Sequence, residues 1–317
     1  MRPAIEAVSV ARLYGRDGAE VGLKDLSLSV PQGQVLALLG HNGAGKTTAV
    51  RGLTTLLAFD RGTARVAGYD VRTQPQEVRQ HISLVGQLTT VDEQLSAADN
   101  LELFGRLRGL ARGAARGRAT ELVRQFGLTD AGNRPVRDFS GGMRRRLDVA
   151  ASMIVRPDVL FVDEPTTGLD PAARRDLWQT LRGLVAEGTT ILLTTQYLEE
   201  ADALADHVVL LAHGSVAAEG TPDDLKDALG RSRITLRFAD LNQAQHARAV
   251  LSAVALDADL EDTALALGAD HSGSLLECLR RLDEHGLSPI EVALRKPSLD
   301  EVFLSVTETP DHPEEPK

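Results

Sequence analysis

Phe139-Ser140-Gly141-Gly142-Met143 decides how this chain is read. Ser140 is of a type that caps a helix, and the two glycines after it leave backbone amides open to an anion. Upstream lies a glycine-rich loop, Gly40 to Thr47, and shortly downstream an apolar run ends in Asp163-Glu164. Either flank alone is common. The ordered set of all three is narrow.

Gly40-His41-Asn42-Gly43-Ala44-Gly45-Lys46-Thr47 fits the phosphate-loop pattern throughout. It follows the continuous apolar run Val35-Leu36-Ala37-Leu38-Leu39 and precedes a helical stretch from Lys46 to Leu57, the context the motif requires. Backbone N–H groups of the loop are expected to converge on a β-phosphate, aided by the helix dipole. Gly40, Asn42, Gly43, Ala44, Gly45, Lys46, Thr47 and Thr48 are the candidate nucleotide contacts. Lys46 would reach the β- and γ-phosphates and Thr47 would ligate Mg²⁺. His41 fills a permissive loop position.

Val159-Leu160-Phe161-Val162-Asp163-Glu164 places two acids at the end of a strand. Asp163 suits a Mg²⁺ held through water, and Glu164 suits a general base for attack on the γ-phosphate. Either acid alone would read as a solvated loop residue.

Further runs at Ile191 to Leu193 and Val208 to Leu211 alternate with helical stretches such as Pro171 to Glu187, which predicts an α/β core with a mostly parallel sheet. Leu88 to Phe139 lacks strand-like runs and carries helical spacing at Leu101, Phe104, Leu107 and Leu110, so a helical subdomain is expected there. Pro222 to Leu229 reads as a short helix ending at Gly230. Beyond it, strand-like Ile234–Phe238, Ala264–Leu267 and Pro289–Leu294 alternate with helical Gln243–Val254 and Ser274–Glu284. The expected organisation is an ATPase domain over 1–230, a small α+β domain of ferredoxin-like type over 231–307, and a disordered acidic, proline-containing tail over 308–317.

The balance of 35 basic against 45 acidic residues, net charge −10, argues against a nucleic-acid partner. One cysteine, Cys278, excludes an intrachain disulfide, reads as a small buried apolar residue and suits the cytoplasm. No run approaches the length of a membrane span, so the chain is not expected to cross a membrane by itself.

Together these motifs resemble the ATP-binding subunit of an ABC transporter over roughly residues 5–225. The resemblance implies ATP and Mg²⁺ as cofactors and a head-to-tail pair, in which the Ser140-Gly141-Gly142 turn completes the site of a second copy. It also places Gln87 at a loop that touches Mg²⁺ and links to the permease. Asp170, in Gly168-Leu169-Asp170, falls in a loop that crosses the dimer interface, and Tyr14 falls where an aromatic stacks on adenine. A simple packed aromatic is the other reading of Tyr14.

The chain departs from the family at Gln196, in Thr194-Thr195-Gln196-Tyr197-Leu198, where a His is usual. Gln can donate a neutral hydrogen bond to the γ-phosphate but cannot accept a proton. It either contacts that phosphate or merely tolerates the slot. Arg144 to Arg146 read as a solvated or ion-paired helix face.

The segments 194–206, 139–148 and Lys296–Val306 resemble the daunorubicin-resistance group of actinobacterial drug-export ATPases. That implies an ATPase on the cytoplasmic membrane face, coupled through an ABC-2-type permease to efflux of an antibiotic or other amphiphilic compound. A soluble cassette ATPase of DNA repair or translation, and an ATP-gated regulator with Gln196 as a defect, are the alternatives.

Overall fold

A computed structural model of the chain describes residues 3–14, 21–86, 90–131, 133–228, 232–252, 258–269, 272–295 and 298–299. Gln87, Gly230, the tail 308–317 and all of Lys296–Val306 except Ser298 and Leu299 lie outside them. The chain groups into two compact units, Met1–Pro222 and Asp223–Lys317.

In the first unit, β1 (Ile5–Tyr14) pairs antiparallel with β2 (Val21–Val30), and β3 (Val35–Gly40) runs into the glycine loop and α1 (Lys46–Leu53). Next come β4 (Arg61–Val66), β5 (Tyr69–Asp70), α2 (Pro75–His81) and β6 (Ile82–Val85). Helices α3 (Ala97–Leu107) and α4 (Arg112–Gln125) lie within the expected helical stretch, and α5 (Gly141–Ser152) starts at the Ser-Gly-Gly turn. The unit closes with β7 (Val159–Asp163), α6 (Pro171–Ala186), β8 (Thr190–Thr195), α7 (Leu198–Leu204), β9 (His207–Ala212) and β10 (Ser215–Gly220).

The sheet order is β5-β4-β1-β2-β10-β9-β3-β8-β7-β6. Strands β9, β3, β8, β7 and β6 are mutually parallel, and β3, β7 and β8 are buried at every residue. Covering both faces with helices explains their unbroken apolar runs. An antiparallel wing, β5-β4-β1-β2, extends the sheet and was not expected from the sequence. Register shifts between Ala7 and Val10 and between Val10 and Arg12 break the alternation of β1, whereas the period of two at Leu26, Leu28 and Val30 of β2 is the sequence signal for the wing.

Helix α1 stops at Leu53 rather than Leu57, because Thr55 turns left-handed at φ 64° and Thr54 Oγ1 donates to the Val50 carbonyl at 2.8 Å.

Helix α8 (Pro222–Ala228) spans the division between the units. The second unit contains β11 (Ser232–Arg237), α9 (Leu241–Ser252), β12 (Ala258–Glu261), β13 (Ala264–Ala269), α10 (Ser272–Glu284) and β14 (Glu291–Arg295). Its antiparallel sheet has the order β12-β13-β11-β14. Ile234, Leu236, Phe238, Leu251 and Leu282 form its core together with Cys278, which is buried as expected. Strand β12 is an element the sequence pattern did not announce. Among the described residues no helix is long and apolar enough to cross a membrane.

Candidate active site

The parallel strands carry the site at one end. Leu39 of β3 pairs with Thr195 of β8, and Asp163 of β7 pairs with Thr194 of β8. The glycine loop, Gln196 and Glu164 thus leave the carboxyl ends of three neighbouring strands, the edge where open α/β sheets bind ligands.

Gly45 caps α1 at φ 107°, a conformation open to glycine, and Leu23 of β2 lies 3.1 Å from where a Cβ would stand. Lys46 begins the helix, is 4% exposed, and donates from Nζ to the carbonyls of Gly40 at 2.7 Å and His41 at 3.0 Å. Burial pushes its ammonium down from the ordinary lysine range, against the opposite pull of the Glu164 and Asp163 carboxylates. Thr47 and Thr48 follow on the first turn, both half-buried.

Lys46 Nζ lies 3.8 Å from Glu164 Oε1. The motifs that the sequence separates by more than a hundred residues therefore meet at one pair of side chains. Asp163 is buried and accepts a hydrogen bond from Thr194 Oγ1. Glu164 stands in left-handed backbone at φ 47°, and its N–H reaches the carbonyl and Oγ1 of Thr194, each at 3.1 Å. A residue with a β-carbon in that conformation carries about 1 kcal/mol or more of strain, retained where the surroundings enforce it. Gln196 is half-buried directly after β8.

Tyr14 ends β1, is 42% exposed, and has the Arg12 guanidinium 5.5 Å from its ring centroid. It pairs with Val21, two residues along β2 from the Leu23 that lies against Gly45. Asp170 caps α6, accepting from the amides of Ala172 and Ala173 at 2.9 Å each.

Ser140 caps α5 by accepting from Met143 N–H at 3.2 Å, and both Ser140 and Gly141 are exposed. A Cβ on Gly142 would come within 2.7 Å of Ala173 Cβ, so this glycine lets α5 approach the start of α6. The neighbours of the turn are thus Leu169 and Ala173 rather than the glycine loop.

One expectation is corrected. Arg145 is not a solvated helix residue: it is 8% exposed and donates to three backbone carbonyls. Its Nη1 reaches Gly86 at 2.6 Å, Nε reaches Pro165 at 2.9 Å and Nη2 reaches Asp163 at 3.0 Å. Arg144 fits the original reading better, bonding the Arg137 carbonyl at 2.8 Å and pairing with Glu93 at 3.5 Å. A helical count back from buried Val149 would have placed Arg145 on the inward face, one turn earlier. Asp148, also buried, accepts from Thr90 N–H at 3.1 Å. Burial raises the Asp148 carboxyl above the usual range, and it does the same to Glu200, which receives Trp178 Nε1–H at 3.3 Å.

A phosphate loop, an acidic strand end and a separate exposed Ser-Gly-Gly helix cap on this sheet define an ATPase of the ATP-binding-cassette class. The comparisons agree. The ABC transporter family model matches residues 23–167. The chain is 50% identical over 308 residues to the daunorubicin resistance ATP-binding protein DrrA2 of Streptomyces coeruleorubidus, covering 96% of this chain and 95% of that one. It is 47% identical over 310 residues to the daunorubicin/doxorubicin resistance ATP-binding protein DrrA of Streptomyces peucetius, covering 97% and 93%. A solved ATP-binding subunit of an ABC transporter matches with a TM-score of 0.61 at 30% identity, over 72% of this chain and 93% of that one. The chain belongs to the daunorubicin/doxorubicin-resistance group of ABC transporter ATP-binding proteins. It is an ATPase whose hydrolysis serves transport.

Proposed function

We propose that this chain powers an exporter as one of two identical subunits that close over two ATP molecules. Each ATP lies between the phosphate loop of one copy and the Ser140 turn of the other. The observation that carries this reading is the approach of buried Lys46 to Glu164 beyond the ends of β3 and β7, parallel strands with β8 between them, while Ser140 stays exposed on its own helix.

In this reading Gly40 to Gly45 and Thr48 cradle the phosphates, Lys46 spans the β- and γ-phosphates, and Tyr14 lies against the adenine. Glu164 accepts the proton of the attacking water. Asp170 stands at the seam between copies, beside the turn formed by Ser140, Gly141 and Gly142.

The oxygens of Thr47 and Asp163, with Gln87, suit Mg²⁺. Bound there, Mg²⁺ would neutralise charge developing on the β- and γ-phosphate oxygens.

Residues 1–230 form the ATPase domain and 231–307 a small accessory domain ahead of a short tail. The partner is a separate ABC-2-type permease, which places the chain on the cytoplasmic face of the membrane. The cargo is an amphiphilic compound of the antibiotic kind for which the relatives are named.

Lys46→Ala tests the nucleotide site. Loss of a charge-assisted contact to phosphate should weaken ATP binding about tenfold to a hundredfold, read by fluorescence of a labelled nucleotide. Undiminished affinity would remove the site from this loop.

Gln196→His is expected to raise turnover by about tenfold, since an imidazole can carry charge near the γ-phosphate where an amide cannot. An unchanged or lower kcat in a phosphate-release assay would mean that Gln196 does not contact that phosphate.

A further inference from the structure

The strained Glu164 is held from both sides by one side chain. Asp163 and Pro165 are its immediate neighbours, and the carbonyls of both accept from Arg145. The same guanidinium takes the Gly86 carbonyl, at the end of the segment that leads into Gln87. Helix α5, which supplies Arg145, also holds Thr90 on the other side of that segment through Asp148. Its first turn is capped by Ser140.

Among the described residues, the three hydrogen bonds of Arg145 all go to peptide carbonyls. Three separate nitrogens of one planar fork each take one acceptor, which distinguishes this role from simple charge balance. Burial makes the arrangement costly, since it lowers the guanidinium from its ordinary value against the upward pull of Asp148, Glu200 and Asp163.

We propose that Arg145 is a positioning residue for hydrolysis: it fixes the left-handed Glu164 peptide and ties it to the helix that carries the Ser140 turn. Occupation of that turn by the partner's nucleotide then bears mechanically on the chain's own Glu164. The proposal rests on the hydrolytic role assigned to Glu164 above.

The test is full-length Arg145→Lys, assayed for steady-state ATP turnover with Mg²⁺. Turnover is expressed per nucleotide-binding site, titrated with a non-hydrolysable analogue, so that misfolded protein cannot imitate a loss. Lys keeps the positive charge beside Asp148 and Glu200 but offers one nitrogen for three acceptors. The expected result is a kcat lower by about tenfold to a hundredfold, because a misplaced base loses its alignment, with KM within about twofold. Arg145→Gln, which retains a planar donor without charge, is expected to lose kcat in the same way.

Wild-type kcat in Arg145→Lys overturns the proposal, because charge alone would then suffice. Matched losses of kcat and nucleotide affinity also overturn it, since they mark a general structural role. Glu164→Gln runs in the same series. If that chain hydrolyses ATP normally, the functional reading itself fails, independently of what Arg145 does.

Discussion

Glu164→Gln is expected to lower steady-state ATP turnover by about a hundredfold to ten-thousandfold while ATP binding persists. The amide has nearly the same size as the carboxylate, so it can occupy the same left-handed position at the end of β7. It cannot accept a proton from water. Binding survives because the glycine loop and Lys46 are untouched, and removing the carboxylate 3.8 Å from Lys46 frees that ammonium for phosphate. Phosphate release and nucleotide titration on one preparation check both halves. Turnover within about threefold of wild type would contradict the assignment, since general-base catalysis accounts for more than that.

The Ser140 turn supplies the second large effect. Ser140→Ala removes a helix cap, which by itself costs about 1 kcal/mol of stability. If the turn also closes over the γ-phosphate held by another copy, turnover should fall by about a hundredfold as well, comparable to losing one donor to a developing charge. The two effects separate with Ser140→Asp. Aspartate caps α5 as well as serine does, so the melting temperature should recover. Its charge repels phosphate, so turnover should fall further. A Ser140→Asp chain with normal ATPase would show that the turn does nothing but cap its helix.

Much of this site was legible because its parts are local. The runs at Val35–Leu39 and Val159–Val162 announced buried strands, and the loop and the acidic pair follow them directly. Their meeting at Lys46 and Glu164 follows from strand order, which the motifs imply only through the family resemblance. In the antiparallel wing the bulges in β1 disrupt its two-residue period, so that only β2, with Leu26, Leu28 and Val30 buried in alternation, carries a legible strand signal.

Arg145 was hidden for a different reason. Flanked by Arg144 and Arg146, it looks like part of a charged surface, and its partners are backbone carbonyls that leave no trace in residue type. Only its helical phase relative to Asp148 and Val149 signals burial. The pairing of two copies has no local physical signature beyond an exposed capped turn, and there the family pattern supplied what periodicity could not.

The most direct measurement of the central claim is the mass of the Glu164→Gln chain in solution with ATP and Mg²⁺. Blocked hydrolysis should hold the closed state, giving a species of twice the single-chain mass that reverts on nucleotide removal. Adding Ser140→Asp should abolish that species while the phosphate loop still binds ATP. A chain that stays monomeric at saturating ATP, or a dimer indifferent to Ser140→Asp, would contradict a site shared between two copies.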